Sequence, residues 1–263
     1  MKVQRFLFLL AAIFLTGITA SAQNTGDTYQ KMSRHERSTF VALQARRIAR
    51  ELAGREYEFT AAFEEDIQQA VNSYARRLNP SAKSHLRVVL ERGRNHAPTL
   101  AGAFRARNLS PLYGLYIPFV ESEFVNIESP NQMGAMGMFQ FIPSTGENYG
   151  LSVQDLLDVS KSADAAARYI TDSLELFKDD PMKEALAILA YNRGEQKTRR
   201  DLKFLTNDQN RACSICTLNA DRSKLDETFR QESVFYVPRF FAAAIIGENP
   251  QAFGLPGQPL SSY

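Results

Sequence analysis

Glu121 closes the apolar run "LYIPFV", so that a carboxyl group stands at the end of a segment built for a protein core. An anion is costly to bury there. Either the side chain reaches water, or its pKa is raised and it keeps a proton to give near neutral pH. Two further polar groups stand in the same way: Gln140 follows "GAMGMF", and Tyr191-Asn192 follows "ALAILA". One polar residue at a segment end is ordinarily a cap. Three of them, far apart in sequence and each ending a strongly hydrophobic stretch, point to a common site that includes Glu121-Ser122.

The elements that must position these groups are helices. Val41, Ala45, Ile48 and Leu52 recur at helical spacing, and so do Phe59, Phe63, Ile67, Ala70, Val71, Tyr74 and Leu78, a run that Pro80 ends. Leu86, Val89 and Leu90 begin another pattern, and Leu100 with Phe104 predicts a short helix before Asn108. Ser110-Pro111 is an N-cap followed by a first-turn proline, which starts a helix that carries Tyr113, Tyr116 and Phe119 toward Glu121, with a kink at Pro118. A helix is expected over Ala163 to Phe177, another from Asp180-Pro181 to Gly194, and a last one through "YVPRFFAAAIIG" to Gly247. The stretch from Thr206 to Asp226 is polar and unpatterned and reads as a long surface loop. No run alternates with period two, so the fold class is all-α or nearly so.

The opening "MKVQRFLFLLAAIFLTGITASAQ" places Lys2 and Arg5 before a short apolar core and an Ala20-Ser21-Ala22 cleavage pattern. It predicts a signal peptide over residues 1–22 and an exported, periplasmic or envelope-associated protein, with no integral membrane segment after cleavage. Loss of Lys2 and Arg5 leaves acidic and basic residues balanced, which argues against nucleic acid as a partner. The arginines at 46, 47, 50, 76 and 77 read as solvated helix faces. Cys213 and Cys216, in an oxidising compartment, read as a small structural disulfide or as two free thiols; zinc would need two further ligands, and the three histidines lie far upstream.

The ordered motifs "ES-x-F", "GAMGxxQFxPSTG", "YGL", "ALAxxAYNRGE" and "ESxxYVPRF" resemble the lytic transglycosylases of the soluble-lytic-transglycosylase (SLT) type, glycoside hydrolase family 23. The resemblance covers about residues 108–254, which it reads as a lysozyme-like catalytic domain with a groove for glycan. Residues 23–107 form a helical region ahead of it, and 255–263 a C-terminal tail. It maps the catalytic acid onto Glu121, preceded by a proline three residues upstream. Ser122 would hold the active-site turn, and Gln140 would belong to the groove, with Tyr191 and Asn192 lining the site. Glu232 and Tyr236 match a family motif in which serine here replaces the usual threonine, and Tyr236 is expected to hydrogen-bond near Glu121. The loop between Glu121 and Gln140 is one residue longer than the family's usual spacing, with "NQM" inserted ahead of Gly134 and Ser129 slightly displaced from the position of the family's groove serine. Arg193, where a small residue is usual, is expected to bring positive charge near the groove, against a lactyl or peptide carboxylate.

The substrate so implied is the glycan strand of peptidoglycan, with no metal or organic cofactor. Ordinary glycosidases need a second carboxylate, and the sequence offers no obvious one. Glu123 points nearly opposite to Glu121 if the helix continues, and Glu128 lies in a loop. The family's solution lies within the substrate: the N-acetyl group of N-acetylmuramic acid assists departure, and the sugar's C6 hydroxyl attacks C1. The alternatives are a hydrolytic muramidase or chitinase on the same fold and a non-catalytic glycan-binding module. The presence of Glu121 weighs against the last.

Overall fold

The computed structural model describes residues 28–79, 85–207 and 212–263. The predicted signal peptide and Pro80 lie outside them. Within them the fold is all-α, and extended pairing is confined to two isolated bridges, Ile127 with Gly137 and Met136 with Phe141.

Helices α1 (Arg34–Ala53) and α2 (Ala61–Ala75) begin at Ser33 and Thr60, whose hydroxyls accept from the exposed amides of the first turn. Ser33 and Glu36 close a reciprocal capping box. Helix α3 (Leu86–Arg105) buries Leu86, Val89, Leu90, Ala97, Leu100 and Phe104, so the two short apolar patterns read from sequence are one continuous helix. Helix α4 (Pro111–Ser122) starts at the Ser110 cap as expected. Its residues from Leu112 to Phe119 are all buried, which makes it the central helix of the molecule rather than an amphipathic surface one. Helices α5 (Pro143–Asn148), α6 (Val159–Leu176), α7 (Lys183–Arg193) and α8 (Glu195–Thr206) follow. The aspartate of Asp180-Pro181 accepts from the Met182 amide just ahead of α7.

The expected loop is not found. The stretch from Thr206 to Asp226 is no long loop, because it contains α9 (Ser214–Ala220) with Ile215 and Leu218 fully buried. The Cys213–Cys216 disulfide closes across the start of α9, and the Thr60 amide donates to Cys216 Sγ at 3.4 Å. Two helical turns are too short for a 3.6-residue period to show in sequence, so tertiary packing decides this element.

After α10 (Glu227–Gln231), helix α11 (Tyr236–Glu248) is buried along nearly its whole length and packs against α1, α2, α4 and α7. One hydrophobic core runs from Tyr29 to Leu260 without a break between the N-terminal helices and those that follow. Residues 255–263 also belong to it. Ser261 donates from its amide (3.1 Å) and hydroxyl (2.5 Å) to the buried Glu248 carboxylate, which accepts from Tyr116 Oη as well. Three donors satisfy a charge that would be costly alone.

Helix α3 crosses α4 at Gly114. A Cβ there would lie 2.6 Å from both the Leu100 carbonyl oxygen and the Phe104 ring. Gly114→Ala must therefore push the two helices apart against a backbone atom. It is expected to destabilise the fold by about 1–3 kcal/mol in thermal or urea unfolding, and an unchanged midpoint would show that the crossing is looser than this.

Candidate active site

Helix α4 ends where the site begins. Ser122 is its last residue, and Glu123 and Phe124 both take left-handed conformations (φ 54° and 60°), which stops the helix and turns the chain. For residues with side chains such conformations are uncommon and must be held from outside. Phe124 is held by burial against Phe119, with ring centroids 5.7 Å apart, and against the bare surface of Gly93 on α3. Glu123 is held by charge: Arg77, in the turn after α2, reaches it at 2.7 Å and Arg92 on α3 at 3.7 Å. Because the helix stops, Glu123 is an anchor to the N-terminal helices and not the opposite face of a continued helix.

Glu121, one residue from the end of α4, keeps an edge to solvent while protein atoms wall in its carboxyl. Tyr236 Oη, at the first residue of α11, donates to its Oε1 at 2.6 Å. Burial pushes the carboxyl up to about 7, against the opposing pull of the Tyr236 hydrogen bond and the positive charge of Arg239. The alternative posed by the sequence is thereby resolved: the group is open on one side and still a reluctant anion. A carboxylic acid tuned near neutrality can both give and take a proton at that pH.

Facing it is the turn from Gly137 to Phe141, clamped at consecutive carbonyls. Ser122 Oγ lies 2.7 Å from the Met138 oxygen, and Tyr191 Oη donates to the Phe139 oxygen at 3.0 Å. Gly137 has φ 76°, and a Cβ on it would come within 2.1 Å of the Leu156 carbonyl oxygen, so only glycine fits. Gln140, itself left-handed at φ 51°, turns its side-chain amide back to the Gly137 carbonyl at 2.8 Å. The Tyr191 ring packs edge-on to Phe141 and Tyr169. Burial raises its phenol well above the usual range, and so does the nearby Glu121 carboxyl, which places α7 beside the acid.

The structure thus joins Glu121, Ser122, the turn ending in Gln140, Tyr191 and Tyr236. Asn192 follows Tyr191 on the exposed side of α7. Ser129 lies exposed in the loop after α4, and Glu232 exposed at the turn between α10 and α11. Arg193 overturns its expectation. It is buried over the Phe229 ring, with Nε 2.9 Å from Asp201 and two nitrogens on Asp226 at 2.5 and 3.0 Å, a clamp between α7, α8 and α10. A cation one residue from "AYN" faces inward because the helix turns it by 100° per residue. Arg239 was not foreseen, although it stands three residues after Tyr236 and so shares its helix face. Among the described residues, no group of three or more His, Cys, Asp or Glu side chains could hold a metal ion.

Residues 101–212 match the family model of the transglycosylase SLT domain. Over this segment the chain is similar to SLT domains. It is also 29% identical over 181 residues to membrane-bound lytic murein transglycosylase D of Escherichia coli (strain K12), and to the protein of that name from Escherichia coli O6:H1. The alignment covers 66% of this chain and 36% of each relative, so the chain spans about a third of their length. The matched SLT segment contains α4, Glu121, the clamped turn and Tyr191, while Tyr236 and Arg239 come from the helix beyond it.

If the clamp sets the turn, Ser122→Ala should cost about 1 kcal/mol of stability and speed hydrogen exchange at the Gly137 amide, which bonds to the Ile127 carbonyl. Unchanged exchange there would remove Ser122 from this role.

Proposed function

We propose that this chain is an exported peptidoglycan lytic transglycosylase, which cleaves the β-1,4 bond between N-acetylmuramic acid and N-acetylglucosamine and leaves a 1,6-anhydro-N-acetylmuramic acid end. The observation that carries this is Glu121: a half-buried residue whose carboxyl is held up to about 7 by burial, in a chain similar to SLT domains. Its proton passes to the glycosidic oxygen as the bond from that oxygen to C1 breaks, with the substrate's N-acetyl oxygen supporting C1. The C6 hydroxyl then bonds to C1 and gives its proton back to Glu121. No water is consumed, and the acid is regenerated.

The remaining residues support this cycle. Tyr236 orients the carboxyl and stabilises its ionised form between the two proton transfers. Ser122 and Tyr191 fix the facing turn, on which Gln140, with Ser129, Asn192 and Glu232 at the surface, would meet the glycan. Glu123 is held by Arg77 and Arg92, which argues against its service as the second carboxylate of a hydrolase. An internal hydroxyl held near C1 has a large effective concentration relative to a water that no base positions. None of these steps calls for a metal or organic cofactor. Among the described residues no helix is long and apolar enough to cross a membrane.

Digestion of purified sacculi followed by mass analysis tests this reading. The expected muropeptides are lighter by one water than lysozyme products and lack a reducible end. Glu121→Gln should lower the rate by about 10²- to 10⁴-fold while the protein stays folded. Fragments that borohydride reduces would establish a hydrolase instead, and a Glu121→Gln protein with more than about a tenth of the activity would mean that another residue is the acid.

A further inference from the structure

Arg239 lies exposed on α11, with its guanidinium carbon 5.9 Å from the centroid of the Tyr236 ring whose hydroxyl bonds Glu121. Its charge is felt at Glu121 and also at Tyr74 on α2, whose ring meets Phe119 of α4 edge-on at 5.4 Å. The guanidinium is thus within electrostatic reach of both the acid and α2. Two other arginines approach the end of α4, but Arg77 and Arg92 both direct their charge at Glu123. Among the described residues Arg239 makes no ion pair, and the carboxyl on which its charge acts is that of Glu121, which burial keeps largely protonated below about pH 7. A cation fixed beside a neutral acid has no internal counter-charge. Phe235, exposed one turn earlier on the same side, gives this lip an apolar surface next to the charge.

We propose that Arg239 is an anion subsite that takes a carboxylate of the substrate strand next to the scissile bond. Two carboxylates fit this chemistry: the lactyl group of a muramic acid stripped of peptide, and the free acids of the stem peptide. A guanidinium is suited to either, because its planar fork matches a carboxylate with two parallel hydrogen bonds. Its contact with the Tyr236 ring holds it in place before substrate arrives. The subsite rests on the proposed function for the identity of its ligand.

The test uses the full chain in a Glu121→Gln background, where binding is read without turnover, and compares it with Glu121→Gln/Arg239→Gln and Glu121→Gln/Arg239→Lys. The probes are peptide-bearing glycan strands, strands stripped of peptide by an amidase, and both after methylamidation of their carboxyl groups. Arg239→Gln is expected to weaken binding about three- to tenfold on one charged probe, the size expected of a partly exposed charged pair. Arg239→Lys should recover part of the loss, and the difference should shrink with added salt. Amidation should weaken the Arg239 protein by a similar factor and erase the gap between it and Arg239→Gln. Loss on the stripped strands identifies the lactyl carboxylate; loss on the peptide-bearing strands alone identifies the peptide. An equal loss on charged and amidated strands, or no loss on either charged probe, overturns the subsite. Sacculi left uncut by the unmutated protein would instead count against the proposed function and leave the binding comparison readable.

Discussion

The hydrogen bond from Tyr236 Oη to Glu121 Oε1 joins the end of α4 to the start of α11, the two most deeply buried helices. It pulls the carboxyl toward ionisation, as does the charge of Arg239, while desolvation pulls the other way and dominates. The balance depends on α4 being buried on every side. A helix with one solvated face would hydrate its terminal carboxyl and return it to the ordinary range. The packing of Phe124 against Gly93 and of α11 along α4 keeps water from that end of the helix, and α3 closes over its first half at Gly114.

The same constraint gives the N-terminal helices a part in the site. Two consecutive left-handed residues end α4, and the partners that hold them come from α3 and the turn between α2 and α3: Arg77, Arg92 and Gly93. Tyr57, ahead of α2, donates to the buried Glu184 of α7 at 2.6 Å, which ties the helix bearing Tyr191 to the same region. The C-terminal residues complete the frame through Glu248, which links Tyr116 in the middle of α4 to Ser261. Glu121 is thus positioned by segments on both sides of the stretch that matches the SLT family.

Much of this was legible in sequence wherever a local signal matched the tertiary outcome. The Ser110-Pro111 start of α4, the apolar run toward Glu121 and the Gly194 stop of α7 each have a local physical cause. The convergence of Glu121, Tyr191 and Tyr236 was legible through the order of several motifs, since no single one of them carries three-dimensional information. What was missed depended on distant partners. Helix α9 is stabilised by burial of Ile215 and Leu218 and by its disulfide, none of which gives a periodic pattern over seven residues. Arg193 was misplaced because its partners, Asp201 and Asp226, lie 8 and 33 positions away. Glu123 was judged on a continuing helix, when the left-handed turn that ends α4 is imposed by Arg77 and Phe124 packing rather than by glycine.

The central claim is that burial, more than any neighbouring charge, sets the proton affinity of Glu121. Titration of its side-chain carboxyl by carbon-13 NMR in the folded protein measures this directly. The account predicts a midpoint at about 7, and a higher one in Tyr236→Phe, because loss of a donor to the ionised form disfavours that form. A midpoint near the ordinary glutamate value of about 4, or one that falls when the Tyr236 hydroxyl is removed, would contradict it.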